Sequence, residues 1–168
     1  MKSKTYRITG VGMLVALSFV GSYIKIPSPL QSIALDSMPA FLAGLLLGGP
    51  TGGLVAFIGH LLTASNTGFP LSLPIHMLVA LMMAITVYLF HLTYKKINLV
   101  AAGCVGIVVN GIGAPFVMAF LPQFGWGFFM GITPFLLLAS AINVIVAIMV
   151  FTSLKKTQMF KGFHYDGK

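Results

Sequence analysis

Apolar residues run through this chain in long blocks, and polar residues punctuate them. Six apolar segments can be drawn, roughly 8–24, 34–48, 52–64, 74–92, 97–121 and 132–154. Their length and uniform apolarity predict helices that cross a membrane, since about 20 apolar residues in helical form cover a hydrocarbon core. The second and third segments fall short of that length. Tilted, embedded or partly re-entrant helices are expected there, and a four-span protein with a hairpin is the alternative. The links differ by side. "GGPTGG" (48–53) predicts a tight turn and "YKKIN" (94–98) a short basic one. "KIPSPLQSI" (25–33), "SNTGFPLSL" (65–73) and "PQFGWGFFMG" (122–131) are longer and rich in Pro, Gly, aromatic and amide residues. Longer links of that composition can roof a cavity.

Composition turns this pattern into a class. Of 168 residues, 58% are hydrophobic and 7% charged, with a mean hydropathy of +1.00. A soluble domain carries roughly a quarter charged residues, so this chain lacks the polar surface that water requires. The expectation is an all-α integral membrane protein, one compact six-transmembrane-helix bundle over residues 1–168. No internal repeat supports an inverted-repeat transporter.

The net charge of +8 follows topology rather than polyanion binding. Lys2, Lys4 and Arg7 precede the first segment, Lys95 and Lys96 share one link, and Lys155, Lys156, Lys161 and Lys168 follow the last. Only Lys25 lies elsewhere. This is the positive-inside pattern with both termini cytoplasmic, and no nucleic-acid partner is implied. The first segment shows no small-x-small cleavage site before Lys25 and is expected to be retained. Cys104, the only cysteine, sits in an apolar run and reads as a small packing residue.

Few residues remain that carry chemistry. Asp36 is one of only two acids, and it stands where the second apolar segment begins. It reads as an N-cap with Pro39 in the first turn, as a carboxylate lining an outward pocket, or as both. His60 and His76 flank the third link, where Asn66 and Phe69 also lie. The histidine spacing matches no compact metal motif, so no metal is assigned. Asn110 and Asn143 fall mid-segment among Gly103, Gly106, Gly113, Ser140 and Ala147, as interhelical glue or as a cavity floor. Trp126, Phe128 and Phe129 read as an interfacial belt or as rings that stack on a ligand. Gly12 and Ala16, four apart in the first segment, form a small-residue seam for another helix, inside the bundle or from a partner. There is no phosphate-binding loop, no H-E-x-x-H and no nucleophile elbow, so neither an ATPase nor an enzyme is indicated.

Taken together, the small-xxx-small first segment, "IPSPLQSIALDSMPAFLAGLLLGGPTGGLVAFIGHLLTA" (26–64) and "GFPLSLPIHMLVALMM" (68–83) resemble the S components of energy-coupling factor (ECF) vitamin transporters. The resemblance covers essentially the whole chain and is nearest to members that take up α-ribazole or cobalamin. It implies a substrate-binding subunit without cofactor, which captures a vitamin or precursor from outside in a pocket closed by outer loops. It further implies docking of the first helix, through Gly12 and Ala16, onto a transmembrane coupling subunit that rests on two cytoplasmic ATPases. Asp36, His60, Asn66, Phe69, His76, Asn110, Trp126 and Asn143 are then the candidate substrate contacts. An S component for another vitamin (cobalamin, pyridoxine-type, pantothenate), a membrane-embedded metal-dependent enzyme and a ligand-free assembly subunit are the alternatives.

Overall fold

The structure, a computed structural model, describes residues 4–25 and 34–156. Helices are α1 (Lys4–Gly21), α2 (Met38–Leu47), α3 (Gly49–Asn66), α4 (Leu73–Lys96), α5 (Leu99–Val108), α6 (Ala114–Ala119) and α7 (Gly125–Lys155). A π turn, Val109–Gly113, joins α5 to α6, so the two continue as one rod, Leu99–Ala119. That rod, α4 and α7 are the three described helices long and apolar enough to cross a membrane, while α2 and the apolar part of α1 are shorter. Pro39, Pro50 and Pro74 sit in the first turns of α2, α3 and α4, where a missing N–H costs nothing.

The bundle is built around α2. Its sequence, MPAFLAGLLL, has no polar side chain to present to water, and α1, α3, α4 and α7 all pack on it. Phe41 meets Phe90 edge-to-face at 5.1 Å, and Val55, Val87, Val144 and Phe151 close the core around them. Glycine sets the crossing with α3: a Cβ on Gly52 would come within 2.6 Å of the Gly44 backbone.

A helix buried on all sides must still satisfy the backbone groups at its ends. Three other helices do this for α2. The Met38 N–H donates to Asn143 Oδ1 at 2.7 Å, from α7. The Gly44 carbonyl, one of the last four of α2, accepts from His91 Nδ1 at 2.7 Å, from α4. Arg7 of α1 reaches the Leu47 carbonyl at 3.4 Å and Thr51 Oγ1 at 3.0 Å, which ties the α2–α3 connection.

The π turn has a local cause. Pro115 has no N–H to give the Gly111 carbonyl, and its ring crowds that carbonyl, so the ladder widens by one residue. The lipid-facing sides of the long helices carry Leu81, Ile85, Val100, Leu138 and Met149, all exposed.

Several expectations for the links are corrected. Of "GGPTGG" only Gly48 lies outside a helix, at φ 96°, and α3 starts at Gly49. α4 continues through Lys96, so "YKKIN" contributes only Ile97 and Asn98, whose side chain caps α5 by accepting from the Ala101 N–H at 2.8 Å. α7 begins at Gly125 and not near 132, which puts Trp126, Phe128 and Phe129 on a helix. Cys104 is exposed on α5, not packed inside. Most of the 25–33 link lies outside the described residues.

Candidate functional site

One void opens at the end of the bundle away from Lys95, Lys96 and Lys155. Its cavity volume is about 100 Å³, and about 740 Å³ when the open space at its mouth is included. Each element contributes a wall: Asp36 and Ser37 ahead of α2, His60 from α3, His76 and Val79 from α4, Asn110 from the π turn, and Phe128, Ile132 and Asn143 from α7. No Lys or Arg lines it among the described residues. The surface is largely apolar with a few convergent polar groups, the usual make-up of a small-molecule site.

The polar groups divide by how fully they are used. Asn143, 1% exposed, spends its amide on backbone: Nδ2 donates to the Ala34 carbonyl at 3.2 Å and the Ala139 carbonyl at 2.9 Å, while Oδ1 holds the Met38 N–H. It supports the Ala34–Ser37 wall. This also revises the cap of α2, since Ser37 occupies the cap position without a side-chain bond and the capping oxygen comes from Asn143 rather than Asp36. Asp36, half-buried, has the Thr63 hydroxyl and the Ser37 N–H near its carboxylate, and Lys25 acts on its charge from outside the lining. Gly21 makes that wall possible, because a Cβ there would run into the Leu35 carbonyl.

Asn110 stands in the π turn and donates Nδ2 to Ser140 Oγ at 2.8 Å, so it bridges to α7 while lining the void. His60 and His76 meet each other: Nε2 of the first lies 3.1 Å from Nδ1 of the second. His76 is 3% exposed, and its Nε2 has no partner. Among the described residues no three His, Cys, Asp or Glu side chains gather around one point.

The remaining candidates lie elsewhere. Asn66 ties helix ends together, accepting from Tyr23 at 3.3 Å and donating to Ser22 at 3.4 Å. Phe69, on the link after α3 at φ 51°, packs edge-on to His76 at 5.8 Å behind the void's lining. Trp126 is 55% exposed and clusters with Phe116, Phe120 and Phe129 on the outer surface, as an interfacial belt residue does. Phe128, one turn behind Phe124, is the aromatic that reaches the void. Gly12 and Ala16 are exposed on α1, and nothing approaches within 4 Å of a Cβ placed on Gly12. Sequence reasoning did not single out Thr63, Ser37 or the apolar walls Val79, Met83 and Ile132. The only advance signal of the π turn was Pro115 inside an apolar segment.

Residues 6–154 match the family described as "ECF transporter, substrate-specific component". The chain belongs to this family. It is therefore a transport subunit rather than an enzyme, and a multi-pass membrane protein. Its fold matches the solved S component of a bacterial ECF transporter with a TM-score of 0.74 at 23% identity, over 91% of this chain and 97% of that one. A shorter stretch is 43% identical over 51 residues to the probable biotin transporter BioY of Lysinibacillus sphaericus, covering 30% of this chain and 26% of the relative.

Proposed function

We propose that this S component captures a vitamin or vitamin precursor from outside the cell in the void between α3, α4, α6 and α7. The observation that carries this reading is the void itself, with Asp36 and the His60–His76 pair in its walls, at the end opposite Lys95 and Lys96. The positive-inside rule makes that end external, with six crossings and both termini cytoplasmic. A transmembrane coupling subunit and two cytoplasmic ATPases then supply the energy, and the coupling subunit docks on the unpacked Gly12–Ala16 face of α1. Ala16→Trp is expected to abolish uptake in cells and leave ligand affinity unchanged; retained uptake removes the docking assignment.

For the substrate, biotin is the first reading, supported by the local identity to BioY. Its neutral ureido ring suits walls without Lys or Arg, its carboxylate being left at the mouth. α-Ribazole is the second reading, supported by Asp36 for ribose hydroxyls and Phe128 for a planar base. A corrinoid such as cobalamin is too large for this void, while pyridoxine-type compounds and pantothenate are smaller alternatives. The test is mass spectrometry of small molecules released from the purified protein, followed by titration with biotin and α-ribazole. Tight binding of one and not the other settles the substrate. Binding of neither, with another vitamin released, overturns both readings and keeps the subunit's role.

A further inference from the structure

A backbone carbonyl is set free where the Leu99–Ala119 rod widens. In the π turn Val109–Gly113 the hydrogen bonds reach back five residues instead of four, and the Ala114 N–H donates to the Val109 carbonyl. In an unbroken α-helix that N–H would serve Asn110. The wider register would offer Asn110 the N–H of residue 115, but residue 115 is proline and has none. The same register commits the Gly113 N–H to the Val108 carbonyl. The Asn110 carbonyl is therefore left without a donor from its own helix. Helical carbonyls point along the axis toward the residue four on, so this one lies between the Asn110 and Ala114 side chains. Asn110, Ala114 and Pro115 all line the void, and Ala114 has only a methyl group to cover the oxygen. Two contacts with α7 hold the turn in that orientation. Asn110 Nδ2 bonds Ser140 Oγ at 2.8 Å, and a Cβ on Gly111 would come within 2.8 Å of Leu137 Cα. A free carbonyl at membrane depth is costly unless it borders a cavity that can supply a partner.

We propose that the Asn110 peptide carbonyl accepts a hydrogen bond from the ligand, and that Pro115 is the positioning residue that keeps it free. This rests on the reading of the void as the ligand site and deepens it by naming a group the ligand carries, an N–H or O–H donor. The Asp36 carboxylate borders the same void, and among the described residues no Lys or Arg does. The end of the ligand held there is therefore a neutral, donor-bearing head, such as a cyclic urea or a polyol. A carboxylate in that place would meet acceptors and no cation.

Asn110–Gly111 is the one Asn-Gly pair in the chain, so [1-¹³C]asparagine with [¹⁵N]glycine marks this peptide bond alone. The full chain in mild detergent is titrated with biotin and with α-ribazole or, if neither binds, with the small molecule released on purification. Saturation is expected to move the Asn110 carbonyl ¹³C resonance downfield, as a carbonyl moves on accepting a hydrogen bond. A bound ligand that leaves the resonance in place overturns the proposal and keeps the void as the site. A pair of variants then separates the missing N–H from the proline ring. Pro115→Ala restores an N–H at this position, and Pro115→lactate places the same methyl group on an ester, which has none. The Ala variant is expected to bind about tenfold more weakly than the ester variant, the worth of one hydrogen bond. Without ligand, its Asn110 carbonyl resonance is expected downfield of that in the ester variant. Equal affinities, or coincident resonances, overturn the proposal. If no ligand binds at all, the reading of the void fails and the proposal fails with it.

Discussion

Helix α4 carries a buried or half-buried histidine near each end, and the two do opposite things. His91 gives its Nδ1–H to the Gly44 carbonyl at 2.7 Å and completes the end of α2. His76, about four turns away, is left with an enclosed Nε2 that nothing meets. A like contrast separates the two asparagines, both of which border the void: Asn143 is fully engaged with backbone, whereas Asn110 makes one bond. Some buried polar groups are thus closed in hydrogen-bonding terms, and others are left incomplete beside the void. Residue type does not distinguish them; the supply of partners does.

That contrast is breakable in order of size. Asn143→Leu strips α2 of its N-terminal partner and frees the Ala34 carbonyl, and should cost about 3 kcal/mol, given about 1–3 kcal/mol per buried polar group left unmet. A lowered melting temperature of the unliganded protein in detergent checks it, and an unchanged one breaks the idea that α2 is anchored there. His91→Leu orphans one carbonyl and should cost about 1–2 kcal/mol on the same scale. Asp36→Asn acts beside the void and should behave differently. Its melting temperature should hold while affinity falls at least about tenfold, equivalent to about 1.4 kcal/mol. Unchanged affinity would remove Asp36 from the ligand contacts. Trp126→Ala should change neither melting nor affinity appreciably, since the ring belongs to the outer cluster; a clear loss of affinity would return it to the binding site.

Each of the six apolar segments has its counterpart in the structure, because apolarity is a local property that periodicity and length report directly. The links were less legible. Pro and Gly in 48–53 and 122–131 read as turns, yet helix continues through most of both stretches. In an apolar medium an unpaired backbone group is expensive, so helices extend into sequence that water would leave irregular. The site was half legible. Asp36, His60, His76, Asn110 and Asn143 do line one void, but Asn66, Phe69 and Trp126 do not. Nor could the chain order show that Asn143, 105 residues from Met38, would cap α2. Partnerships of that range are set by packing and leave no local trace.

The anchoring of α2 by Asn143, His91 and Arg7 also bears on how such a protein can change its ligand. The groups that hold the frame and the side chains that line the void are nearly separate sets, with Asn143 the member they share. Val79, Met83, Met118, Ile132 and Leu136 border the void without serving the ends of α2. They are the positions at which selection, or a designer, can reshape the cavity for a different small molecule while the scaffold stays intact.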